Sequence, residues 1–148
     1  MASEPVWIVD NDLDDQEIVR IVWQELGLKN ELVLFSSAEE AYNALAANPR
    51  APFIILCDLN LPGTDGFEFR QRLLDGHQKK FKSVPFIFWT SDASETQITR
   101  AYELAAHGLF VKDSTIEELK DTFRIIIRYW IKSKMPAKSE DFPGLRSA

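Results

Sequence analysis

Five short apolar runs recur along the chain: Pro5 to Val9, Glu31 to Phe35, Phe53 to Cys57, Val84 to Trp89 and Leu109 to Val111. Three of them are almost uninterrupted, which suits strands buried on both faces of a parallel sheet. The segments between them are long enough for crossover helices. Ile18, Val22 and Leu26 predict one face of a first helix that Gly27 ends. Ser37 with Glu40 reads as a capping box ahead of Ala41 and Leu45, and Pro49 closes that helix. A third helix is expected from about Asp65 through Phe69 and Leu73, fading near Gly76. Ser94 with Gln97 opens a fourth, carrying Ile98, Tyr102 and Ala105 on one stripe. Ser114 with Glu117 opens a fifth, with the stripe Ile116, Leu119, Phe123, Ile126, Trp130. The basic, polar segment from His77 to Ser83 reads as an exposed loop.

Five consecutive β-α units predict an α/β fold: one parallel sheet, right-handed crossovers, two helices on one face and three on the other. A domain is expected over residues 1–134, followed by a polar tail over 135–148 rich in Pro, Lys, Ser, Glu, Asp and Gly. Within this length no second folded effector domain is expected. With hydrophobic residues at 45% and charged residues at 27%, the chain can bury a core and still face water. The formal charge of -6 disfavours nucleic acid and anionic membrane as partners. No run approaches the roughly 18 apolar residues of a membrane helix. No signal-peptide pattern opens the chain, so a cytoplasmic protein is expected. The single cysteine, Cys57, reads as a small buried strand residue, and His77 and His107 lack metal-ligand spacing.

Ligands of open parallel sheets bind at the carboxyl ends of the strands. The residues ending the runs are Asp10-Asn11-Asp12, Asp58, Thr90-Ser91 and Lys112. Carboxylates, a hydroxyl and an ammonium at one sheet edge are the groups needed to hold a divalent cation and a phosphoryl group. Mg²⁺ takes oxygen ligands, commonly one or two carboxylates plus phosphate oxygens. A carboxylate at Asp58 can attack an activated phosphorus, with the metal and Lys112 offsetting charge on the equatorial oxygens. Thr90 can hydrogen-bond one phosphoryl oxygen.

Trp7 to Asp12, Cys57-Asp-Leu-Asn-Leu-Pro-Gly-Thr-Asp-Gly66, Thr90-Ser91 and Val111-Lys112 resemble the receiver domains of two-component response regulators, over about residues 5 to 133. The resemblance is greatest to stand-alone, single-domain regulators and implies strand order 2-1-3-4-5, a flavodoxin-like (βα)5 fold. It implies that Asp58 is the phosphoacceptor and Asp10 one of an acidic pair. Asn60 lends a backbone carbonyl to Mg²⁺, Thr90 is the switch hydroxyl and Lys112 faces the phosphate. It also implies a histidine kinase or phosphotransfer protein upstream and a protein target downstream.

Three departures stand out. Asn11 falls where the family carries its second acid, so the metal site is expected to be weakened; Asp12 would substitute only if the loop register shifts. Asp113 replaces the usual proline after the lysine, and a trans Lys112–Asp113 bond is expected. Leu109 stands where an aromatic ring usually swings inward on activation. Asp12, Asp14 and Asp15 read as turn residues or helix caps. The fourth helix, fifth strand and fifth helix present Tyr102, Leu109 and the stripe ending at Trp130, a surface expected to support homodimer formation or partner binding. The competing reading is a pseudo-receiver, an interaction module with weak or no metal-dependent phosphorylation. A flavodoxin-like cofactor enzyme ranks last, because acids occupy the place of a phosphate-binding loop after the first strand.

Overall fold

The computed structural model describes residues 4–76, 78 and 80–135. Five parallel strands form one sheet in the order β2-β1-β3-β4-β5. They are β1 (Val6–Val9), β2 (Leu32–Phe35), β3 (Ile54–Cys57), β4 (Phe86–Thr90) and β5 (Gly108–Val111). Every residue of β1, β3 and β4 is buried, as continuous apolar runs in the middle of a covered sheet require. The edge strand β2 is half-buried throughout.

Strand alternation sorts the core into two layers. Trp7, Val9, Ile55, Cys57, Phe86 and Phe88 face α2 (Ala38–Ala47), α3 (Gly66–Asp75) and α5 (Glu95–Glu103). Val6, Ile8, Ile54, Leu56, Ile87 and Trp89 face α1 (Leu13–Leu26) and α6 (Ile116–Lys132). The expected division of two long helices against three is therefore present. A sixth helix, the single short turn α4 (Lys80–Ser83), replaces the expected exposed loop. Phe81 anchors it: the ring is buried and lies 5.5 Å from that of Tyr42. His77 and the segment 136–148 lie outside the described residues. Met135, expected to begin the tail, packs against the α1/α6 layer.

Three helical stripes differ from expectation. In α1 the buried apolar residues are Val19, Val22 and Trp23, while Ile18 is half-exposed. Strict fours drift around a 3.6-residue turn, and the 19-22-23-26 set follows the helix better. In α5, Ala101 is buried and Tyr102 is exposed; Ala105 lies beyond the helix at φ +57°. In α6 the cap is Thr115 paired with Glu118, one residue later than expected. That phase buries Leu119, Phe123, Ile126 and Ile127 and leaves Ile116 exposed and Trp130 half-buried.

The caps at Asp65/Glu68 and Ser94/Gln97 are complete, reciprocal boxes. At α2, Ser37 accepts from Glu40 N, but Glu40 reaches Ser36 N instead of the cap residue. Gly66 permits a close approach: a Cβ there would collide with the carbonyl oxygen of Asp58 and come within 2.9 Å of Leu59 Cα. This seats the N-terminus of α3 directly against the loop after β3.

Candidate functional site

Register brings the strand-end residues level. Val9 pairs with Cys57, so Asp10 and Asp58 follow side by side, and Asp58 N donates to Val9 O at 3.0 Å. Thr90 pairs with Val111 at the far strand end, and Lys112 N donates to Thr90 O at 2.7 Å. Side-chain alternation continues past the strands, so Asp10, Asp58 and Lys112 share the parity of the layer facing α1.

Lys112 Nζ stands among three carboxylates: 2.8 Å from Asp10 Oδ2, 2.7 Å from Asp15 Oδ2 and 2.9 Å from Asp58 Oδ2. It also lies 4.8 Å from the centroid of the Trp89 ring. The Thr90 hydroxyl, fully buried, donates to Asp58 Oδ1 at 2.8 Å, and Asn60 N donates to the same oxygen at 3.1 Å. Thus both oxygens of Asp58 are engaged, one by a hydroxyl and an amide, the other by the ammonium.

Burial raises the Asp10 carboxyl above the usual range, and Lys112 partly offsets it. Burial pulls Lys112 down, but its contacts with Asp10, Asp15 and Asp58 outweigh that and hold it above the ordinary lysine range. Burial likewise pushes the Cys57 thiol well up, which keeps it neutral and unreactive.

Asp10, Asp58, Thr90 and Lys112 therefore converge as expected. Asn11 follows Asp10 but is exposed, its Nδ2 donating to Ser36 O at a long 3.4 Å. The Asp12 carboxylate is used as the α1 cap, its Oδ1 accepting from Asp14 N at 2.8 Å and Asp15 N at 3.2 Å. Asp15, read from sequence as a turn or cap residue, instead reaches Lys112. His107 is structural: its Nδ1 accepts from Phe86 N at 3.0 Å. The Lys112–Asp113 bond is trans, since no cis peptide occurs among the described residues. Leu109 packs partly buried against the α2/α3/α5 layer.

Oxygen donors suited to a hard divalent cation are present in Asp10, Asp58, the Asn60 carbonyl and the Asn11 amide. Asp10 Oδ2 fits that use: it is buried and, despite the close Lys112 charge, makes no directed hydrogen bond. No group of three or more His, Cys, Asp or Glu side chains among the described residues is arranged to hold a metal alone. Backbone oxygen and water would complete the shell, as Mg²⁺ commonly requires.

This fold and strand-end cluster define a receiver, and the chain belongs to the response regulator receiver domain family, which matches residues 6–124. Sporulation initiation phosphotransferase F of Bacillus subtilis is 27% identical, over 94% of this chain and 99% of that protein. The phosphorylated cyanobacterial phytochrome response regulator RcpA superposes with a TM-score of 0.80 at 22% identity, covering 90% of this chain and 99% of its own. The Mn²⁺-bound form of the response regulator Rcp1 gives 0.76 at 24% identity, covering 90% and 99%.

Proposed function

We propose that this receiver accepts a phosphoryl group on Asp58 from a histidine kinase or phosphotransfer protein and signals by protein–protein contact. The observation that carries the reading is the double engagement of the buried Asp58 carboxylate by Thr90 and Lys112. An Asp58 oxygen attacks phosphorus, the P–N bond of the donor phosphohistidine breaks, and its electron pair leaves with the imidazole. The product is an acyl phosphate. Asp10, Asp58, the Asn60 carbonyl and the Asn11 amide would hold Mg²⁺, which supplies charge neutralisation when bound. Lys112 balances the remaining oxygen charge.

The Thr90 hydroxyl then has a phosphoryl oxygen to donate to, which draws in the loop between β4 and α5. The surface formed by α5, β5 and α6 exposes Tyr102 at 58% and Val111 at 52%, and is the face proposed for self-association or a downstream protein. Leu109 lies beneath it as the coupling residue.

The test is intact-mass detection after acetyl phosphate treatment. Wild type is expected to gain one phosphoryl group with Mg²⁺ and none after chelation; Asp58→Ala is expected to gain none. A wild type that stays unlabelled supports the pseudo-receiver reading, which Asn11 favours by leaving one ligand charge out of the metal site. Asn11→Asp is accordingly expected to tighten Mg²⁺ binding by about tenfold, a fraction of one unit-charge interaction at surface-like dielectric. Calorimetric titration checks this, and an unchanged affinity would place residue 11 outside the shell. Scattering with and without beryllofluoride reads association through the α5–β5–α6 face.

A further inference from the structure

The Lys112 ammonium has one partner that the strand ends do not supply. Asp15 comes from the first turn of α1 and makes the shortest of its three carboxylate contacts, at 2.7 Å. Its mounting is rigid. The Asp12 side chain binds the amide of Asp15, and the neighbouring Gln16 is buried with Nε2 donating to Asp10 O at 2.6 Å and Ser36 Oγ at 3.1 Å. The Asp15 side chain is 26% exposed, against 2% for Asp10 and 10% for Asp58. It therefore pays the least desolvation to remain charged.

This arrangement matters because the other two contacts belong to groups with competing uses. A cation on Asp10 and Asp58, or a phosphoryl group on Asp58, would take oxygens that Lys112 now contacts. Lysine is a point charge on a flexible four-carbon stem, so without a third anchor it is free to swing away. Asn11, neutral and exposed, cannot be that anchor.

We infer that Asp15 is a positioning residue for phosphoryl transfer, holding Lys112 over the phosphoacceptor from the helix side while Asp10 and Asp58 are otherwise engaged. The beryllofluoride and labelling arms of its test rest on the reading of Asp58 as phosphoacceptor; the resonance of the unliganded protein does not.

Asp15→Asn is compared with Asp14→Asn, which removes the same charge from the same helical turn at an exposed position. Both variants lose equal helix-dipole and long-range charge contributions, so a difference between them isolates the contact. In wild type and Asp14→Asn, the ¹⁵N ammonium resonance of Lys112 is expected to be sharp, and to persist when beryllofluoride saturates the site. In Asp15→Asn it is expected to be broader already in the unliganded protein, and to vanish on that addition. Labelling of Asp58 by acetyl phosphate at saturating Mg²⁺ is expected to slow about tenfold in Asp15→Asn, the scale of one hydrogen bond to a charged group. Asp14→Asn is expected to stay within about twofold of wild type.

A Lys112 resonance equally sharp in both variants overturns the inference, as does equal slowing of both. If wild type takes neither phosphoryl group nor beryllofluoride, the functional reading fails. The unliganded resonance then decides: broadening in Asp15→Asn alone keeps Asp15 as the lysine's anchor, and no difference overturns that too.

Discussion

Lys112→Met is expected to destabilise the domain by about 3 kcal/mol at neutral pH, the lower end for breaking a buried charge cluster by removing one member. Three carboxylates would remain around an apolar side chain, two of them on nearly buried residues. The pH dependence is the distinguishing part. Lys112 is held above its ordinary value of 10.5, so its contribution is complete below that pH and fades as pH rises beyond it. Asp10 is raised above 3.8 by burial, so its ionised form opposes folding and its protonation relieves the variant. Urea midpoints for wild type and variant should therefore be farthest apart across neutral and mildly alkaline pH. The gap should close from both sides, on acidification through the raised Asp10 range and above 10.5. A gap that is flat with pH would show that the lysine acts through packing alone.

Arg70→Met is expected to cost about 2–3 kcal/mol, the penalty for leaving buried carbonyls without a charged donor. Arg70 is 2% exposed on α3, and burial lowers its guanidinium to about 10, so it remains charged at neutral pH. Its counter-charge is the carbonyl end of α5: Nε donates to Leu104 O and Nη2 to Ala105 O, each at 2.9 Å. The guanidinium also lies 5.0 Å from the Phe86 ring centroid. Methionine keeps much of the stem but satisfies neither carbonyl. Hydrogen exchange should localise the loss to the amides following α5, Leu104 to Ala106. Uniform acceleration across the sheet would mean that the guanidinium supports the core and not that helix end.

The sheet and its strand-end cluster were legible because both rest on local signals. Uninterrupted apolar runs mark covered strands, and the polar residue ending each run marks the ligand edge. Helix phase was less legible. Ser114 and Thr115 each have an acid three residues on, so the α6 cap is degenerate in sequence, and burial of Leu119, Phe123 and Ile126 decides it. Phe81 was hidden in a basic segment whose average polarity outweighed one ring. Arg70 gave no signal, because its partners are backbone carbonyls more than thirty residues away. Asp15 was discoverable. Alternation puts Asp10, Asp58 and Lys112 on the side of Ile8, Leu56 and Phe110, the side that α1 covers, so an acid in the first turn of α1 is within reach.

The cluster also ties its own charge balance to the docking of the last strand in the sequence. Lys112 is 54 residues from Asp58 and 97 from Asp15, and it follows an edge strand that docks on β4 alone. Contacts spanning such separations carry the loop-closure cost that slows folding. A chain with β1 and β3 paired but β5 undocked holds two neighbouring acids and no cation between them. Docking of β5 on β4 therefore brings the ammonium between them. On the proposed function, a chain without that docked strand lacks the ammonium beside Asp58, so competence to accept a phosphoryl group would arrive only with the native strand-end cluster.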